Sequence, residues 1–189
     1  RVLFRSNVYP SGVFSGTGDV DPGPGTILLT AGGAEGTIVT KSDSSGHLLW
    51  ARSIGGQTRF DTDLTQTGRG IAVDSDGNVF TTGSYEGTNV DFDAGPGTYF
   101  LPDVSGTRRS FVSKLDSAGN FVWARQLEGY AAYDIDVDTV GNVYVAGSTG
   151  ISAFISKLDR SGDIAWFNRL ELLSVASSIG WGQIGRAHV

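Results

Sequence analysis

One fifteen-residue block occurs three times in this chain, and a repeat of that kind restricts the fold more than any other property of the sequence. Ile38–Arg52 (IVTKSDSSGHLLWAR) is matched by Phe111–Arg125 (FVSKLDSAGNFVWAR) and, through its Trp, by Phe154–Trp166 (FISKLDRSGDIAW). The only three lysines, Lys41, Lys114 and Lys157, hold one repeat position, and Trp50, Trp123 and Trp166, three of the four tryptophans, hold another. Trp123 and Trp166 are 43 residues apart, while Trp50 and Trp123 are 73 apart, which is the same period plus 30 inserted residues. A second block, Asn-Val-aromatic, recurs at Asn7-Val8-Tyr9, Asn78-Val79-Phe80 and Asn142-Val143-Tyr144.

Each unit reads as four short strands, a to d. Strand a ends near Val73 or Val137, b runs from the Asn-Val pair to about Ser84 or Ser148, c is the Phe-Val-Ser-Lys-Leu run, and d centres on Trp. Asp-x-x-Gly turns join a to b and c to d, the chemistry of tight hairpins. In strand c, Phe111, Ser113 and Leu115 share one face and Val112, Lys114 and Asp116 the other, which suits a sheet sandwiched between neighbours. Four antiparallel strands at a period near 43 residues match a β-propeller blade. The expected fold is all-β, a partial propeller of about three blades forming an open arc. Strands b to d of the first blade occupy residues 7–52, the second blade 69–127, the third 130–169, and a fourth begins within 174–183. Such an arc exposes two raw blade edges and is expected to be poorly soluble alone.

Composition agrees with this reading. Gly numbers 28 of 189 residues, and 16 Asp face only 4 Glu, a turn-forming rather than helix-forming balance. There is no Cys and only His47 and His188, so disulfides, thiolate metal sites, thiol catalysis and histidine clusters are excluded. A net charge of -6 opposes nucleic-acid binding, and no apolar run is long enough to span a membrane.

The ends carry a different signal. Ile184-Gly185-Arg186-Ala187-His188-Val189 back-translates to a segment whose reverse complement encodes Arg1-Val2-Leu3-Phe4-Arg5 and enters the Ser6 codon. One DNA segment read on opposite strands accounts for both ends, and it resembles a common sequencing adapter. Residues 1–6 and 184–189 are therefore expected to be an artefact outside the fold. Without them the chain holds 11 basic and 20 acidic residues.

Val73-Asp74-Ser75-Asp76-Gly77-Asn78-Val79-Phe80, then Phe111–Asn120, then Val122-Trp123-Ala124-Arg125 resemble the SBBP-type β-propeller repeat. The resemblance implies a propeller from a large secreted or surface-attached bacterial protein, and it supplies no catalytic residues to carry over. The Asp-x-x-Gly-x-x-x-Trp block also resembles the tryptophan-docking motif of quinoprotein dehydrogenases, since Gly46, Gly119 and Gly162 precede Trp50, Trp123 and Trp166 by four. Here Asp lies one residue closer to Gly than in that family, and its Ca-quinone site has no recognisable counterpart. The simpler role of the three tryptophans is packing between blades.

Insertions point to a working face. Asn142 to Lys157 is 15 residues, but Asn7 to Lys41 is 34 and Asn78 to Lys114 is 36, so 19–21 extra residues fall in the b–c connections. A nine-residue excess lies between strands d and a of the first two units. In an up-and-down blade both connections emerge on one face, and loops on a rigid scaffold are where binding concentrates. The b–c insertions share Asp19-Val20-Asp21-Pro22-Gly23-Pro24-Gly25-Thr26 and Asp91-Phe92-Asp93-Ala94-Gly95-Pro96-Gly97-Thr98. Asp19, Asp21, Asp91 and Asp93 are the candidate binding residues. Asp-x-Asp supplies two oxygens of the six to eight that Ca²⁺ takes, so a rigid turn is the simpler role and Ca²⁺ the one candidate ion. Asp74-Ser75-Asp76-Gly77-Asn78 fails as an EF-hand, because Val79 replaces the required Gly and Tyr85 the bidentate Glu. Asp134, Asp136 and Asp138 alternate along one strand and read as solvated charges.

Lys41, Lys114 and Lys157, one per unit, read as structural residues, with a lectin-like pocket per blade as the alternative. No carboxylate pair stands out for glycoside chemistry. The expected role is non-catalytic: an extracellular scaffold, or a module binding protein or glycan through the loop-rich face, whose partners include the remaining blades of its own chain. The alternatives are a propeller enzyme with active residues elsewhere and a Ca²⁺-stabilised adhesin repeat.

Overall fold

An Asp-x-x-Gly segment closes a hairpin only if its Gly enters the left-handed region, and five segments here do so. Gly46, Gly77, Gly119, Gly141 and Gly162 have φ between 80° and 87°. Each Gly amide donates to the carbonyl of the Asp three residues earlier, and each Asp amide donates to the carbonyl four residues ahead. The Asp carboxylate accepts the amides two and four residues ahead, as Asp116 does from Ala118 and Asn120 at 2.9 and 2.8 Å. This is a type I turn continued by a left-handed glycine, the three-residue hairpin loop.

The computed structural model describes residues 7–31, 36–54, 58–59, 70–102, 104 and 107–170. The adapter-like ends, the start of the fourth blade and Trp181 lie outside the described residues. Fourteen strands and no helix occur among those described: β1 Ser11–Phe14, β2 Thr17–Asp19, β3 Leu28–Thr30, β4 Gly36–Ser42, β5 Leu48–Ile54, β6 Thr58–Arg59 and β7 Gly70–Val73. They continue as β8 Val79–Tyr85, β9 Arg109–Leu115, β10 Phe121–Gln126, β11 Ala131–Val137, β12 Val143–Ser148, β13 Ala153–Leu158 and β14 Ile164–Leu170.

Three antiparallel sheets succeed one another in chain order: β1-β4-β5, then β7-β8-β9-β10, then β11-β12-β13-β14. They are the three units of the repeat, a partial β-propeller. The first sheet has strands b, c and d; its strand b is broken at Pro10, which has no amide to donate, so Val8 bridges Ser42 before β1 resumes at Ser11. Register slips once in every strand d. Lys41, Lys114 and Lys157 lie opposite Trp50, Trp123 and Trp166, while Leu48, Phe121 and Ile164 pair one position further on, which leaves Leu49, Val122 and Ala165 bulged. Such a bulge sharpens the local twist.

The second unit differs from the sequence expectation in its strand a. β6 pairs with Tyr85 and Ser84, and β7 resumes the same edge at Thr82. In the third unit the matching edge is continuous, with Ala131 opposite Ser148, a slip after Ala132, and Asp134 opposite Ala146. Residues 60–69, outside the described residues, join β6 to β7 at the point where the third blade has only Ala132 and Tyr133. The excess expected between strands d and a lies mostly inside strand a, and the sheet of the second blade begins before residue 69.

Burial follows position in the stack. Every residue of β8 is buried, because the second sheet has a neighbour on both faces. β12 alternates buried and half-buried, and β14 is exposed apart from half-buried Phe167. The joint between the second and third blades holds the largest apolar cluster, including Phe80, Val112, Trp123, Val145, Phe154 and Leu158. The joint between the first and second blades is filled by Val39, Trp50, Val79 and Leu115 below and by Ile54, Tyr85, Phe92 and Phe111 above.

Candidate functional site

The repeated Lys, Trp and Arg build the blade joints. On one face of each sheet, strand b supplies an aromatic ring, c a Lys and d a Trp: Phe80, Lys114 and Trp123 lie side by side in adjacent strands, as do Tyr144, Lys157 and Trp166. The ammonium groups of Lys41, Lys114 and Lys157 sit 5.5, 4.9 and 5.3 Å from the rings of Tyr9, Phe80 and Tyr144, within cation–π range. Arg52 and Arg125 each cover their own blade's Trp at 5.7 Å.

This row receives the c–d turn of the next blade. Across the first joint Lys41 Nζ and Trp50 Nε1 both donate to the Ser117 carbonyl, at 2.9 and 3.2 Å. Arg52 donates to the carbonyls of Gly119 at 2.7 Å and Ala118 at 3.2 Å. A Cβ on Gly119 would lie 2.9 Å from the Trp50 ring, and one on Gly162 would lie 2.8 Å from that of Trp123. Gly119 and Gly162, four residues before Trp123 and Trp166, thus pack on the Trp of the preceding blade. Across the second joint Arg125 reaches the Ser161 carbonyl at 3.4 Å and the Asp163 carboxylate at 3.9 Å, while Trp123 Nε1 is buried without a partner among the described residues.

Three of the turn aspartates are held ionised. At Asp43 the His47 and Ser45 amides lower the carboxyl below its ordinary range. At Asp116 desolvation opposes ionisation, but the Asn120 amide and side chain, the Ala118 amide and the Arg52 charge together outweigh it. At Asp138 desolvation is likewise outweighed, by Asn142, the Val140 amide and the Tyr144 hydroxyl.

The two b–c insertions fold alike. Asp19 Oδ1 accepts the Asp21 and Ile27 amides at 3.1 and 2.9 Å, and Asp91 Oδ1 accepts those of Asp93 and Tyr99 at 2.9 and 2.9 Å. Asp21 and Asp93 accept the amides of Gly23 and Gly95 at 2.8 and 2.7 Å. A Cβ at Gly25 or Gly97 would displace the outer carboxylate oxygen of Asp21 or Asp93. One carboxylate oxygen of each candidate Asp is thus engaged by the loop's own backbone. Among the described residues no three metal-ligating side chains gather into a group.

Beyond this shared turn the two blades diverge. In the second blade Phe92 is fully buried against Tyr85 and Phe111, with ring centroids 5.3 and 5.0 Å away. In the first blade the same insertion forms the hairpin β2-β3, and Leu28 is 65% exposed. The anchored loop walls a cleft of about 720 Å³ lined by Tyr99, Arg109, Arg125, Gln126, Glu128 and Arg169. These residues come from the b–c insertion, the start of strand c and the ends of two d strands, so the cleft opens toward the loop-bearing end between the second and third blades. Of the candidate Asp residues none lines it. Sequence reasoning missed its arginines because Arg109 and Arg169 fall outside the repeat; only Arg125, matching Arg52, carried a signal. A second cleft, about 510 Å³, lies on the tight-turn face among Asp74, Asp76, Lys114, Asp138 and Arg160.

Comparison with known proteins agrees with this architecture. Residues 49–93 and 122–154 match the SBBP β-propeller repeat. An uncharacterised WD repeat-containing protein of Acanthamoeba polyphaga mimivirus is 31% identical over 149 residues, covering 70% of this chain and 10% of that protein. The chain spans a tenth of the length of this relative. Three recurring sheets, their glycine-turn joints and the matched segments lead to one assignment: the chain is a partial β-propeller whose residues 49–93 and 122–154 are repeats of the SBBP family.

Proposed function

We propose that this segment is a non-catalytic module of a bacterial extracellular protein, a rigid propeller scaffold that binds a protein or glycan through its b–c face. The observation that carries this reading is the second blade's insertion. An insertion of 21 residues that the third blade does without packs Val90, Phe92, Leu101 and Val104 into a buried cluster and walls an open cleft. Ordering a loop of that length costs chain entropy, and a loop serving only as a connection has no need of it. The joint residues are consumed by blade stacking, which leaves the loop face as the surface free to vary. Extracellular placement rests on the family resemblance alone.

Arrays of glycans and of cell-surface proteins probed with the labelled chain test this reading. Binding is expected on at least one array, with a reduced signal for Tyr99→Ala and an unchanged melting temperature. Absence of signal on both arrays, or a signal indifferent to Tyr99, would overturn it.

A further inference from the structure

The cleft beside Tyr99 has the opposite charge to its protein. Arg109, Arg125 and Arg169 line it against one carboxylate, Glu128, in a chain of net charge -6. Arg125 is already committed, to the Ala124 and Ser161 carbonyls and to Asp163. Arg109 donates a single long hydrogen bond among the described residues, 3.4 Å to the Glu128 carbonyl, which leaves most of its guanidinium edge open. Arg169 meets Glu128 at 3.6 Å, but both side chains are open to solvent, 55% and 70% exposed, so this pair holds weakly and yields to a better anion. A guanidinium presents a planar fork matched to carboxylate or sulfate. Beside the forks, Tyr99 is tilted against Phe121 at 5.0 Å, its hydroxyl 3.5 Å from the Ala124 carbonyl and from Arg125, and the residue still 36% exposed. A fixed, half-open aromatic ring next to two available guanidinium groups suits a sugar ring bearing an acidic group.

We infer that this cleft binds an anionic saccharide, with the acidic group held by Arg109 and Arg169 and the sugar ring against Tyr99. The inference rests on the binding role proposed above and narrows its ligand class to acidic glycans. Glu128 acts as an internal competitor, occupying Arg169 until the ligand's anion replaces it. Local positive charge concentrates such ligands despite the acidic remainder of the chain, and binding weakens with salt.

Titration calorimetry with trigalacturonate, its methyl ester, a sulfated chondroitin oligosaccharide and poly-glutamate tests this. Trigalacturonate or the sulfated sugar is expected to bind, and whichever binds identifies the anion. The neutral ester and poly-glutamate are expected to bind at least roughly tenfold more weakly. Arg109→Gln is expected to cost about tenfold or more in affinity, whereas Glu128→Gln tightens binding by freeing Arg169. That gain is one that a damaged fold does not produce, and unchanged melting of both variants confirms the fold. If neither anionic sugar binds, or poly-glutamate binds as well as the sugars, or Glu128→Gln weakens binding, the acidic-saccharide assignment is overturned. If only neutral glycans or proteins bind, with Tyr99 required, this assignment fails while the broader binding role stands.

Discussion

Trp50, Trp123 and Trp166 hold one position in three blades, yet they live in different surroundings. Trp50 and Trp123 are 8% and 6% exposed beneath the next blade's turn, whereas Trp166 is 38% exposed on the last described sheet. At the other end Gly46 has the same left-handed backbone as Gly119, with nothing within 4 Å of the place its side chain would occupy. A blade surface of this type is therefore half of a contact, built to receive a turn that another blade carries. The two closed joints also differ from each other. Four hydrogen bonds from Lys41, Trp50 and Arg52 cross the first, and the Arg125–Ser161 bond is the counterpart at the second. The second relies on apolar burial instead, because strand β11 brings Ala132 and Ile135 against the preceding blade. At the first joint the equivalent strand is β7, and no innermost strand of the first blade for it to meet is among the described residues. Directional bonds and area burial substitute for each other within a single repeat.

The largest effect is expected where turn and ring meet. Gly119→Ala combines a forbidden φ, about 1–2 kcal/mol, with overpacking against Trp50, about 1–3 kcal/mol. Gly46→Ala carries the backbone cost alone. Thermal or urea melting of the two variants checks this, and equal losses would show that the turn, not the joint, sets the glycine requirement. Next, Arg52→Gln is expected to lose about 1–3 kcal/mol, since it removes two charge-assisted bonds across the joint, to the Gly119 and Ala118 carbonyls, while Arg125→Gln loses less. The ordering reverses if apolar packing makes the Arg52 bonds redundant.

Acid separates the closed joint from the open edge in a third way. Asp43 and Asp116 both have lowered native pKa values, so the unfolded chain binds more protons and stability falls as pH drops through the native values, being fully present above the ordinary carboxylate range. Only Asp116 gains from Arg52. In Arg52→Gln, carboxyl titration by NMR is expected to show the Asp116 pKa rising and that of Asp43 unmoved. The smallest change in stability is expected at the open edge. Trp166→Ser should alter unfolding free energy by roughly 0.5 kcal/mol or less, yet reduce self-association of the chain in sedimentation, because Ile155, Trp166 and Leu170 are exposed on one face of the last described sheet. Unchanged association would mean that the blade face does not drive contact between copies.

Much of this was legible in the sequence for physical reasons. Asp-x-x-Gly turns are local, so their residues reveal themselves wherever they occur, and strands between two such turns have little freedom of register. The bulges at Leu49, Val122 and Ala165 were hidden because an extra residue in a strand leaves composition unchanged; only pairing with Lys exposes it. The interrupted edge β6–β7 was hidden for the same reason, as spacing measures an excess without saying within which element it falls. For binding, the sequence points to Asp19, Asp21, Asp91 and Asp93, since repeated acidic pairs are conspicuous. The cleft depends instead on where an inserted loop comes to rest, a property of tertiary packing around Phe92. Its arginines meet across two blades, and of the three only Arg125 belongs to the repeat.

The place where β6 gives way to β7 has a meaning for how such chains diversify. In the third blade the edge strand already carries a register slip between Ala132 and Asp134, and in the second blade ten residues separate Arg59 from Gly70 while pairing resumes on either side. The ladder has a seam at which polypeptide can be spliced in without resetting the alternation of side chains on either flank. A foreign peptide grafted between Ala132 and Tyr133 of the third blade would enter the sheet where nature has already tried the operation once.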